Sequence, residues 1–137
     1  MAVGLFGGIV FAAFPLISQV ARESHEANER VRVLERRWET VRRLRADVAA
    51  ASSASVIVGG RGNAGVELSL PAGRVVWLQH EGRLQRSASA GPVTADLPMR
   101  AFFAIEQRRE SRRPFLRYEL EDAEGKLSGL ALIGAGR

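Results

Sequence analysis

The stretch ARESHEANERVRVLERRWETVRRLRADVAAA, residues 21–51, decides how this chain is read. It holds no glycine or proline, and residues with good helix propensity dominate it. Val31, Leu34, Trp38, Val41, Leu44 and Val48 fall three or four residues apart, which places them on one stripe of a helix. Glu26 and Arg30, and Glu39 and Arg43, stand four apart in the favourable acid-first order. The spacing predicts a helix over 22–51 with one apolar face and a solvated back. Its C-terminal half, with Trp38, Val41, Leu44 and Val48, is expected to pack on a sheet of the same chain. Its N-terminal half, with Val31 and Leu34, is expected to form a stalk.

Upstream the polarity changes abruptly at Arg22: residues 1–21 carry no charge. Ala2–Val20 would span roughly 28 Å as a helix, close to the thickness of a hydrocarbon core. Gly4, Gly7, Gly8 and Pro15 interrupt the bulky apolar residues, as membrane helices tolerate. A cleaved signal would carry basic residues ahead of its apolar run, and none precedes Arg22. The segment therefore reads as a single-pass transmembrane anchor continuous with the charged helix. Arginines and glutamates alternate after it, so charge leaves its orientation open.

Downstream of Ala51 the period shortens to two. Val56–Val58 is a short β-branched run, and Val66, Leu68 and Leu70 alternate with Glu67 and Ser69. Arg74–His80 and Arg83–Ser87 flank the tight Glu81-Gly82 reversal. Met99–Glu106, Leu116–Glu121 and Leu127–Ile133 repeat the alternation, while Ala88–Pro98 and Arg108–Pro114 read as connections. The expected fold class is α+β: a long N-terminal helix (anchor plus amphipathic stalk) packed on a small antiparallel β-sheet. The expected organisation is an apolar segment at 1–21, an amphipathic helix at 22–51 and a β head at 52–137.

Little here suggests chemistry. There is no cysteine, and His25 and His80 lie in different elements without carboxylates at ligand spacing, so neither a metal site nor thiol catalysis is expected. Gly59–Gly65 lacks the Gly-Lys-Ser/Thr ending of a phosphate loop. Glu119, Glu121, Asp122 and Glu124 read as a solvated strand end. The net charge of +5 rests almost wholly on arginine, since Lys126 is the single lysine, and no aromatic platforms interleave the arginines. That pattern fits coding bias better than a nucleic-acid surface. Catalytic residues, cofactors and a small-molecule substrate are not expected. The cluster Arg108, Arg109, Arg112 and Arg113 is the candidate partner surface.

Two stretches carry a family resemblance. VRRLRADVAAA at 41–51 resembles the helix end of minor pseudopilins of type II secretion and of related competence and pilus proteins. VVWLQHEGRLQR at 75–86 resembles their recurrent hairpin: an aromatic-bearing strand, a glycine turn and Leu-x-Arg. The layout of apolar helix, amphipathic helix and β head is similar to that of type IV pilin-like proteins. The family's basic leader, its Gly-Phe-like cleavage site and the glutamate after it are not found, yet MAVGLF at 1–6 resembles the stretch following that glutamate. Met1 is therefore expected to be an internal methionine.

The resemblance implies a structural, non-catalytic role as a subunit or assembly component of a pilin-like filament. It implies an inner-membrane helix, a periplasmic head, and other pilin-like subunits as partners through a helix face of Gly4, Gly8, Phe11, Pro15, Val31 and Leu34. The Gly4/Gly8 spacing is one that close membrane-helix packing uses. The alternative is a membrane-anchored or secreted periplasmic binding module unrelated to filaments.

Overall fold

A computed structural model describes residues 2–59, 64–88, 91 and 93–136, with side chains from Gln19 onward. Among the described residues one helix, α1 (Ala2–Ala50), precedes eight strands: β1 (Ser53–Val58), β2 (Ala64–Leu70), β3 (Gly73–His80), β4 (Arg83–Ala88), β5 (Val93–Leu97), β6 (Arg100–Glu106), β7 (Phe115–Asp122) and β8 (Gly125–Leu132). All strand pairs are antiparallel. They form a five-stranded sheet in the order β1-β2-β3-β4-β5 and a separate three-stranded sheet in the order β6-β7-β8.

This overturns the expected α+β class. The protein is a mostly β fold with one helix and two sheets, not a pilin-like helix laid over a single small sheet. The physical reason is that the strands after Met99 do not extend the first sheet. They build a second one, whose inward side chains Ala101, Phe103, Leu116, Tyr118 and Leu120 are all buried. β5 was also expected to be a connection. Asp96 and the neighbouring Pro92, Gly91 and Pro98 disguise it, yet an edge strand needs partners on one side only, and it pairs with β4 from Leu84↔Leu97 to Ser87↔Val93.

The chain divides into two units, 1–42 and 43–137, so the boundary lies inside α1. In the first unit Val20, Val31, Leu34 and Trp38 are exposed. Thr40 returns its hydroxyl to the Arg36 carbonyl at 2.7 Å. In the second unit the last two turns of α1 belong to the core, with Leu44 and Val48 fully buried. Val66, Leu68, Val75, Trp77 and Leu84 complete it from the larger sheet. Their alternation explains the register: Trp77 stands opposite Val66 on one side and Arg86 on the other, and Val75 opposite Leu68.

The β3–β4 reversal is the two-residue turn expected. Glu81 and Gly82 both have positive φ (52° and 75°), the geometry that matches the twist of the flanking strands. At the other end of the head, Gly134 N–H donates to the Val48 carbonyl at 3.0 Å and Gly136 N–H to the Ala49 carbonyl at 2.9 Å. Helix C-termini leave carbonyls unsatisfied, and here the final residues of the chain cap two of them.

Candidate functional site

A buried, fully hydrogen-bonded polar constellation lies at the end of α1. Asp47 is buried although it is charged. Its Oδ2 accepts Trp77 Nε1–H at 2.9 Å and Arg86 Nε–H at 2.7 Å, and its Oδ1 accepts Arg86 Nη2–H at 3.0 Å. The Arg86–Asp47 pair is therefore bidentate, the strongest geometry for this ion pair. Only 12% of the Arg86 side chain and 8% of that of Asp47 reach solvent. The hydrogen bonds that Arg86 donates to Asp47, and the charge of Asp47, raise the Arg86 pKa, and burial, which would lower it, does not prevail. Arg86 Nη1 also donates to Thr94 Oγ1 at 2.8 Å, which ties β5 to β4.

Arg45 makes the matching connection to the smaller sheet. Its Nη1 donates to Tyr118 Oη and to the Leu130 carbonyl, each at 3.1 Å. Residues 45 and 47 are about 200° apart on a helix, so the two side chains leave α1 on nearly opposite sides. Asp47 reaches β3 and β4, and Arg45 reaches β7 and β8. The end of α1 is thus a polar rivet between the two sheets, and these charges serve structure. Among the described residues no buried side-chain nitrogen or oxygen lacks a partner, and no group of three His, Cys, Asp or Glu could hold a metal ion.

Tyr118 constrains its neighbour across the strand pair. It stands opposite Gly129, and a Cβ built there would lie 2.4 Å from the tyrosine hydroxyl and 2.7 Å from Cζ. Since Arg45 holds that hydroxyl, the ring cannot swing aside freely. Gly129→Ala is expected to destabilise the head by about 1–3 kcal/mol, the usual cost of overpacking. Urea unfolding followed by tryptophan fluorescence checks this, and the additional change Tyr118→Phe should recover part of the loss.

The sequence-predicted residues separate into three groups. Val41, Leu44 and Val48 are buried, whereas Trp38 is 59% exposed and does not join them. Val31 and Leu34 are exposed on the helix surface. The other proposed assembly positions, Gly4, Gly8, Phe11 and Pro15, lie outside the residues whose side chains are described, as does most of the apolar run 1–21. Among the described residues no helix is long and apolar enough to cross a membrane.

The arginine loop is more committed than its composition suggests. Arg108 lies over the Phe115 ring, 5.6 Å from its centroid, and 3.8 Å from Glu106. Arg113 donates to the Gly134 carbonyl. Gln107 Nε2 donates to the Ser111 carbonyl at 2.9 Å, closing the loop. That leaves Arg109 and Arg112 to present charge to solvent. An open depression of about 450 Å³ on the outer face of the smaller sheet is lined by Glu106, Arg108, Arg117, Ser128 and Leu130.

Sequence reasoning missed Asp47, Arg86, Arg45 and Tyr118. A signal for Asp47 exists: it is an acid between Leu44 and Val48 on the face that the apolar stripe marks as buried. Arg86 shares the alternation of Leu84, so it points inward too. Comparison with protein-family models, curated proteins and solved structures gives no match.

Proposed function

We propose that this protein is a non-catalytic structural subunit or assembly component of a helix-packed filament of the pilin-like class, such as a minor pseudopilin or minor pilin. In this reading residues 1–21 reside in the inner membrane, the head faces the periplasm, and other pilin-like subunits are the partners. One observation carries it. Val20, Val31, Leu34 and Trp38 are all exposed, and at 100° per residue they fall within an arc of about 60° on α1. An apolar stripe left in water along about five turns of helix is the kind of surface that a second helix covers.

The absence of cysteine makes the test direct. Single cysteines at Leu34 and Trp38 are expected to form cross-links in membranes of the native host, whereas Arg36→Cys, on the opposite face, is expected to form far fewer. Leu34→Glu combined with Trp38→Glu should abolish the cross-link formed by a reporter cysteine at Val31 and leave the melting temperature of the head unchanged. A chain that carbonate extracts from membranes, with equal reactivity around the helix, would remove this reading and favour a binding module unrelated to filaments.

A further inference from the structure

The two sheets have four edges, β1, β5, β6 and β8, and natural edges usually carry devices that prevent pairing with another chain. β5 contains Asp96 and meets β4 through an irregular register at Arg86/Ser87. β6 begins with Arg100 and ends with Glu106, and β8 contains Lys126. β1 is different. Its sequence, SASVIV, has no charge, no proline and no glycine, and its last residue, Val58, is 89% exposed. It pairs with β2 along one side throughout Ser53–Val58 and ends the sheet on the other.

Beside the start of β1 is a depression of about 380 Å³, whose lining includes Ser52, Ala54, Pro114 and Ile133. An exposed valine at one end of an unprotected edge and, at the other, a hollow lined by Ala51, Ala54, Pro114 and Ile133 together with Ser52, Ser53 and Arg113 can meet under a two-fold axis. Two antiparallel copies of β1 in one continuous sheet must set like faces opposite each other, because side chains alternate. Two registers satisfy this near the centre of the strand. One places Ser55 opposite its own copy and Val58 opposite Ser52. The other places Val56 opposite its copy and Val58 opposite Ala54. Either brings Val58 of each copy to the residues that line the other's hollow. No like charges meet, since the strand has none.

We propose that β1 is an isologous interface: two copies of this chain join edge to edge through antiparallel β1 strands, with each Val58 seated in the hollow beside the other's β1. The interface is separate from the helix stripe, and the test keeps them separate by using the Leu34→Glu/Trp38→Glu chain as background. In that full-length chain, Ser55→Cys or Val56→Cys is expected to give a disulfide-linked dimer under mild oxidation. Opposed Cα atoms of an antiparallel pair lie about 4.5–5.5 Å apart, within reach of a disulfide. Ser128→Cys, on the β8 edge, serves as control and is expected to give at least tenfold less dimer. Ser55→Lys should convert the dimer to monomer in light scattering with no change in far-ultraviolet circular dichroism. A monomer at all concentrations with no excess cross-linking at Ser55 or Val56 would overturn the proposal. So would equal cross-linking at Ser128, or capture of a different protein by Ser55→Cys in cells while the purified chain stays monomeric. Survival of this dimer alongside failure of the helix cross-links would reject the filament reading alone.

Discussion

Asp47→Ala is expected to destabilise the head by about 3–5 kcal/mol, because it leaves the guanidinium of Arg86 buried without its counter-charge. The Trp77 N–H loses its acceptor at the same time. For a head of this size that is on the order of 15–30 °C in melting temperature, enough to unfold a marginal domain. Thermal unfolding by circular dichroism on the full chain provides the check. Asp47→Asn should cost less, since an amide oxygen still accepts from Trp77 and Arg86. The decisive comparison is the double variant Asp47→Leu/Arg86→Met. Removing both charges leaves no buried ion unpaired, only the Trp77 N–H without its acceptor, so it should be clearly more stable than Asp47→Ala alone. A double variant as unstable as the single one would mean that shape, rather than charge, holds the site.

The pH dependence follows from the direction of the Arg86 shift. A base whose pKa is raised on folding contributes stability that is complete below its unfolded value and is lost only as pH rises through the folded one. For arginine that window lies beyond the alkaline end of ordinary working conditions. The Arg86 contribution should therefore not decline between neutral pH and about pH 10, and any alkaline loss of stability there must come from other groups.

Local order was legible in the sequence wherever one period ruled. The helix, the alternation in β2, β3, β6 and β7, and the glycine-bearing reversal between β3 and β4 all follow from residue spacing. β5 was not legible because an edge strand needs no buried stripe, and its Asp96 instead forms a surface pair with Arg83 at 2.8 Å. The division into two sheets was not legible either. Nothing in Met99–Glu106 distinguishes a sixth strand of one sheet from the first strand of another, since both need the same alternation. Trp38 misled for a related reason: it continues the apolar spacing of the helix, yet two successive steps of three residues carry Leu44 about 120° around the axis from it. Over 38–48 the stripe therefore drifts around the axis, and Trp38 is exposed where Leu44 is not.

That drift leads to the second large effect. Along one helix, the same chemical change should have a large effect on one side of the boundary between the units and almost none on the other. Leu44 is fully buried within the head, and Leu44→Ala should cost about 2–5 kcal/mol, the range for emptying a packed leucine site. Leu34 is 45% exposed, and Leu34→Ala should change head stability by less than about 0.5 kcal/mol. Chemical denaturation of the two variants side by side measures both. The contrast bears on function as well as stability. If Leu34 were part of the head's own core, its loss would unfold the head and it would be unavailable to another helix. If instead Leu34→Ala leaves the fold intact and weakens cross-linking at Trp38→Cys, then the apolar residues of 20–38 are there for association. The last turns of α1 would then be the part of the helix that the head needs for itself.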